Sequence, residues 1–301
     1  MLIEIGSREE ENIFILGAGA SVDYGLPTWK ELNSLIEQKI IQDKTDKYKH
    51  KKEILEWLNK IGDNKQYGTI DECIRFESVS HQYHDNGVEI ENEIFVIMGE
   101  IFNELYKDNN KGWINKLNEV MKSSFNLGLE NKIFFINYNY DDVLNKNLFN
   151  FHSLTAKEKL LKKEIIHRLS LITVKSFHPH GHFSIDYDSN VFNYKKTPKS
   201  NSDENYVDAI SCFDSDHHIV KTYGGKENRL YILGLGGGLK HNLGKLKFIN
   251  KISEIHITVK NKDSIDDTIE FLSKKFNLEK NKIVTHIDCF SLIESCFDIP
   301  F

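Results

Sequence analysis

Cysteine is scarce in this chain: four among 301 residues, Cys73, Cys212, Cys289 and Cys296, with no Cys-x-x-Cys pair. A disulfide framework is not expected in a chain this long, and reduced thiols in a cytosol fit better. Glycine (18) and proline (4) are too few for a disordered or fibrous chain. Long apolar runs are missing as well. Residues Met1 to Asn12 are acidic and lead directly into a predicted strand, so no export segment or membrane span is expected and a cytoplasmic location follows. Positive charge is not in excess, with Lys+Arg 39 against Asp+Glu 45 and a formal net charge of −6. This argues against a general attraction to phosphate backbones. Lys44, Lys47, Lys49, Lys51, Lys52 and Lys60 concentrate on a predicted helix, where such a run reads as a solvated face, and direct nucleic-acid contact is not expected.

What is present is enough apolar material, 40% of residues, to bury a full-sized core. Short apolar runs at Ile13–Leu16, Ile133–Ile136, Leu171–Phe177, Leu230–Leu235, Ile255–Val259 and Ile283–Ile287 read as strands. Thr28 followed by Glu31 forms a capping box, and Leu32, Leu35, Ile36 and Ile40 repeat on one face of the helix that starts there. Further helices are predicted at 142–149 and from Thr155 to about Ser170. Strands alternating with helices predict an α/β fold, a Rossmann-like and mostly parallel sheet with helices on both faces. The pattern gives one domain over residues 1–301, with a helical insertion at 44–130 and a polar loop or flap excursion at 186–228.

The segment most informative about chemistry is Gly17-Ala18-Gly19-Ala20-Ser21, followed by Gly25-Leu26-Pro27. Glycines after a strand let backbone approach a diphosphate, and the amides and dipole of a following helix attract its charge. Val22 stands where the usual Gly-x-Gly-x-x-Gly spacing has its last glycine, so the string alone fits a phosphate-binding turn and a purely structural turn equally. Asn139 alone reads as a turn or capping residue. His178, His180 and His182 would share one face of an extended strand, which admits a metal-binding reading beside a structural one. Asp141 and Asp142 suit a helix N-terminus better than an acid and base pair, and His217 and His218 fall in the polar excursion.

The longer string from Gly17 through Asp23-Tyr24-Gly25-Leu26-Pro27-Thr28-Trp29 closely resembles the opening motif of SIR2-like domains. Tyr138-Asn139-Tyr140-Asp141-Asp142 is similar to that family's Asn-Tyr-Asp motif, and His180-Gly181 to its His-Gly motif. Gly234 to Leu243 corresponds to its glycine-containing loop, with Lys240-His241-Asn242-Leu243 in place of the usual Asp-Pro-Asn-Leu. The resemblance implies a NAD site. In it Asn139 and His180 are catalytic, and Gly17, Ala18, Gly19, Ala20, Ser21, Pro27, Thr28, Asp141, Gly234 and Gly236 contact the dinucleotide.

It further implies cleavage of the nicotinamide–ribose bond, with NAD as substrate and no metal. Asn139 would orient water and the ribose hydroxyls, and His180 would accept a proton near neutral pH. Family members that deacetylate proteins carry a four-cysteine zinc module, which the cysteine spacing here does not provide. Relatives of this type act in antiphage defence. That leads to the expectation of a homo-oligomer, or of a separate sensor or activator such as an ATPase or Argonaute-like subunit. Two other readings stay open: a non-catalytic module that binds NAD or ADP-ribose, and a metal-dependent hydrolase or nuclease at the histidine triplet.

Overall fold

The computed structural model describes residues 2–6, 11–62, 65–81, 86–123, 133–141, 143–148, 176–177, 182–185, 192–195, 218–223, 228–244, 246–248 and 251–297. The chain opens with β1 (Leu2–Gly6) and β2 (Glu11–Leu16), a seven-residue 3-10 helix (Ala18–Tyr24) and α1 (Trp29–Gln42). Helices α2 (Lys51–Asn59), α3 (Ile70–His81), α4 (Gly87–Leu105) and α5 (Trp113–Ser123) follow, then β3 (Ile133–Asn137) and α6 (Val143–Asn147). Next come the short strands β4 (Ser176–Phe177), β5 (His182–Ile185), β6 (Phe192–Lys195) and β7 (His218–Tyr223), then β8 (Asn228–Leu233). The remainder is α7 (Leu239–Gly244), β9 (Leu246–Phe248), β10 (Ile252–Thr258), α8 (Ile265–Phe276), β11 (Ile283–His286) and α9 (Cys289–Phe297).

Six strands form the main sheet in the order β11-β10-β8-β2-β3-β4, and every neighbouring pair is parallel. Counted in chain order within this sheet, the strands run 3-2-1-4-5-6, the doubly wound Rossmann arrangement. The order reverses between β2 and β8, so the crevice for a ligand lies where the C-terminal ends of those two strands part.

Both faces of the sheet are covered, and the sequence shows why. Successive side chains in a strand point to opposite sides, so a strand buried on both faces must be apolar throughout. Phe14 and Leu16 pack with Phe135, Tyr231 and Leu233 against residues of α1, α4, α5 and α9, among them Ile36, Ile97, Leu117 and Leu292. Ile13 and Ile15 pack on the other side with Phe134, Ile136, Leu230 and Ile255, under Leu239, Leu243 and Leu272 of α7 and α8. Each fully buried apolar side chain of this kind contributes about 1.5–3 kcal/mol.

Parts of the chain depart from the sequence expectations. A second, three-stranded parallel sheet, β1-β7-β9, was not foreseen, because Leu2–Gly6 is short and β7 sits in a polar stretch. Two strands, β6 and β7, form inside the span read as a loop excursion; β6 pairs antiparallel with β5. Of the strand expected at Leu171–Phe177, only Ser176–Phe177 lies among the described residues, and the helix expected from Thr155 falls outside them. Among the described residues, no helix is long and apolar enough to cross a membrane.

Candidate functional site at the sheet switch point

The two glycine turns meet at the point where the strand order reverses. Gly17 N–H donates to Leu233 O at 2.8 Å and Gly19 N–H to Gly234 O at 2.9 Å, so the turn after β2 is laced to the turn after β8. A Cβ at Gly17 would stand 2.7 Å from Leu235 Cα, and one at Gly19 would stand 2.8 Å from Gly234 Cα. Gly234 has φ +67°, and a Cβ there would lie 2.1 Å from Ala20 N. The close approach these glycines permit in this structure is therefore backbone to backbone. Gly236 differs: φ is +48°, it is exposed, and nothing lies within 4 Å of an added Cβ, so it borders the open edge of the crevice.

A second turn separates the glycine string from α1, as the sequence predicts, and the residues between add a 3-10 helix that it did not. Ala18–Tyr24 is a 3-10 helix ended by Gly25 in the left-handed region at φ 80°, and α1 begins only after Pro27 and Thr28. Thr28 caps α1: its backbone N–H and its hydroxyl both reach Glu31 Oε2 at 2.7 Å, the capping box legible in the sequence. The connection from α4 to α5 and the first residue of α5 hold the 3-10 turn from behind. Trp113 Nε1 donates to Ala20 O at 2.7 Å, Asn109 Nδ2 to Asp23 O at 2.9 Å, and Lys107 N–H to Tyr24 O at 2.9 Å.

Into this corner the end of β3 brings Asn139 and Asp141. Asn139 Nδ2 donates to Ser21 Oγ at 3.1 Å, and the Ser21 hydroxyl donates to Asp141 Oδ1 at 3.0 Å. Asp141 Oδ1 also accepts from Val143 N–H at 3.1 Å, an Asx turn that starts α6. The backbone turn that the sequence assigned to Asn139 is made by its neighbour: Asn137 Oδ1 accepts from Asn139 N–H at 3.0 Å. Ser21, Asn139 and Asp141 are all buried, at 4%, 5% and 5% exposure, so the network is sheltered from water and its bonds are correspondingly firm. Burial pushes the Asp141 carboxyl up to about 6, although the bonds from Ser21 and Val143 partly oppose the rise.

The loop after β8 is tied to the same corner. Thr258 Oγ1 accepts from Gly234 N–H at 2.9 Å, and Tyr138 OH donates to Asn242 O at 3.2 Å. The string Lys240-His241-Asn242-Leu243 thus lies in α7 and anchors on the residue before Asn139. His180, His178 and Asp142 lie outside the described residues, and His182 is the first residue of β5. Sequence reasoning missed Trp113, Asn109, Asn137 and Thr258, since none belongs to a motif and each is joined to the site only by folding. A shallow depression of about 420 Å³ is lined by Gln66, Tyr67, Glu72, Phe76 and Glu77, none of them part of this corner.

Together these features define a Rossmann-type α/β protein with a polar network at the switch point. No protein-family model matches the chain, and a search of curated proteins returns no match.

Proposed function

We propose that this protein is a NAD glycohydrolase that cleaves the nicotinamide–ribose bond to give ADP-ribose and nicotinamide. The observation that carries this reading is the convergence of Ser21, Asn139 and Asp141 beside the paired glycine turns, from segments 120 residues apart in sequence. The opening glycine string, the Asn-Tyr-Asp string and the loop after β8, read separately as parts of a dinucleotide site, supply neighbouring atoms at the switch point, where this type of fold binds ligands.

The residues present fit such a substrate in two respects. The space beside Gly236 is open, which gives a diphosphate an approach to the turn. Asn137 Nδ2 is a buried donor without a hydrogen-bond partner among the described residues, suited to an acceptor oxygen at the end of β3.

Chemically, NAD carries a cationic leaving group, so the difficulty lies in the oxocarbenium-like ribose and in placing water. Ionised Asp141 orients the Ser21 hydroxyl, which then accepts from the Asn139 amide and fixes which way the carboxamide faces. Its oxygen, on the side away from Ser21, would hold the ribose hydroxyls or the attacking water. His180 would take the proton that water loses. We further propose an intracellular effector role in antiphage defence, through a homo-oligomer or a sensor partner such as an ATPase or Argonaute-like subunit.

A second reading is a module that binds NAD or ADP-ribose without turnover, and the 5% exposure of Asn139 favours it. Incubating the protein with NAD, with and without the product of a neighbouring gene, and resolving products by mass spectrometry separates the two. Nicotinamide and ADP-ribose in equal amounts, insensitive to chelator, support the hydrolase. Saturable binding with intact NAD supports the module. Turnover abolished by chelator and restored by a divalent metal only while His178, His180 and His182 are intact points to metal chemistry there.

A further inference from the structure

On the face of the sheet that α9 covers, His256 of β10 and His286 of β11 are diagonal neighbours: His256 pairs in register with Val284, and Thr258 with His286. Cys296 of α9 closes the group. His256 Nδ1 lies 3.2 Å from His286 Nε2 and 3.1 Å from Cys296 Sγ, and one ligand atom from each of the three residues falls within a 4.8 Å cluster. All three residues are half-buried.

The outer nitrogens of both rings are engaged, and this decides what the inner ones offer. Ser295 Oγ donates to Leu292 O at 3.1 Å, so it meets His286 Nδ1, 3.2 Å away, as an acceptor. This contact suits the tautomer of His286 that carries its proton at Nδ1. Glu254 Oε2 lies 3.5 Å from His256 Nε2 and favours the proton there. With both protons on the outer nitrogens, two lone pairs face each other at 3.2 Å with a thiol beside them, an arrangement that a cation between them satisfies.

Two imidazoles and a thiolate are a ligand set for zinc, with Zn–N of about 2.0–2.1 Å and Zn–S of about 2.3 Å. A tetrahedron with those bonds has N···N and N···S edges of roughly 3.3 and 3.6 Å, so the 3.2 Å between the rings already fits and the 3.1 Å from Cys296 Sγ to His256 Nδ1 widens by about half an ångström on binding. Carboxylate and hydroxyl partners on the far ring nitrogens are the outer contacts that metal-bound histidines ordinarily make.

We propose that His256, His286 and Cys296 form a mononuclear zinc site, completed by solvent, that fastens α9 to the sheet. On binding, the Cys296 S–H bond breaks, the sulfur pair forms the Zn–S bond and the proton passes to solvent. The site lies on the strand whose Thr258 braces Gly234, so it stiffens the support of the β8 turn. The proposal is independent of the NAD reading, and its test does not use turnover.

The full chain is stripped with chelator, exposed to zinc or cobalt(II) and dialysed. The expected result is one retained zinc per chain, a tetrahedral cobalt spectrum with a thiolate-to-cobalt band, and a thermal midpoint raised by zinc. Cys296→Ser abolishes the band and the thermal shift, His286→Gln weakens zinc binding at least about tenfold, and Cys212→Ser changes neither. Absence of stoichiometric zinc, or a thiolate band that persists in Cys296→Ser, overturns the site. Should Cys296→Ser fail to fold, His286→Gln decides it, and unchanged zinc affinity in that variant rejects the proposal.

Discussion

The Ser21 hydroxyl donates to Asp141 Oδ1 at 3.0 Å, joining the turn after β2 to the turn after β3 inside the protein. Ser21 Oγ in turn accepts from Asn139 Nδ2 at 3.1 Å, so one hydroxyl sets the geometry of both other polar groups. Ser21→Ala removes both bonds and leaves buried polar atoms to be resatisfied. A loss of about 1–3 kcal/mol in stability by urea denaturation is expected. Because the Ser21 bond holds the Asp141 pKa down, that pKa also rises further in the variant. Unchanged stability would show that the network holds nothing together.

Asp141 gives a pH dependence with a definite sign. Its carboxyl is raised from 3.8 to about 6 by burial, so the folded state binds a proton that the unfolded state has already released between those values. The stability it contributes is full below about pH 4 and is lost as pH rises through 6, a change on the order of 3 kcal/mol. Asp141→Asn should flatten that segment of the stability profile relative to the parent. Parallel profiles for the two proteins from pH 4 to 7 would contradict the assignment.

The glycines divide by what their hydrogens touch. Gly19→Ala places a Cβ 2.8 Å from Gly234 Cα, and Gly234→Ala places one 2.1 Å from Ala20 N at φ +67°, so both should unfold at markedly lower denaturant concentration. Gly236→Ala meets nothing within 4 Å and bears only the strain of a positive φ, about 1–2 kcal/mol. Equal destabilisation by all three would mean that the two turns do not depend on mutual contact.

The central strands were legible in the sequence because β2, β3 and β8 are buried on both faces and read as apolar runs, whereas β10 and β11 toward the sheet edge bury mainly one face and mix polar with apolar residues. Their spatial order was not, since pairing β2 with both β3 and β8 is decided by packing over distant segments. Thr28 and Glu31 announced α1 because a capping box is local. Strands β1 and β7 escaped notice: they pair with each other across most of the chain, and neither has a long apolar run.

The motif residues Ser21, Asn139 and Asp141 were picked singly, yet that one hydroxyl would join all three required the fold. The glycine string alone fitted a phosphate-binding turn and a structural turn equally, and that Gly17 and Gly19 back directly onto the turn at Gly234 required the fold. No sequence signal marked His256, His286 and Cys296, because they lie on separate elements with no ligand-like spacing; the sequence offered a metal reading only at His178, His180 and His182 and no paired cysteines.

The account stands most directly on one comparison: NAD consumed and nicotinamide released by the parent protein, Asn139→Ala and His180→Ala, each verified as folded by circular dichroism. The prediction is robust turnover by the parent and a loss of at least about a hundredfold in each variant, the contribution expected of a positioned acid–base group. Parent-level release of nicotinamide by both variants would contradict it.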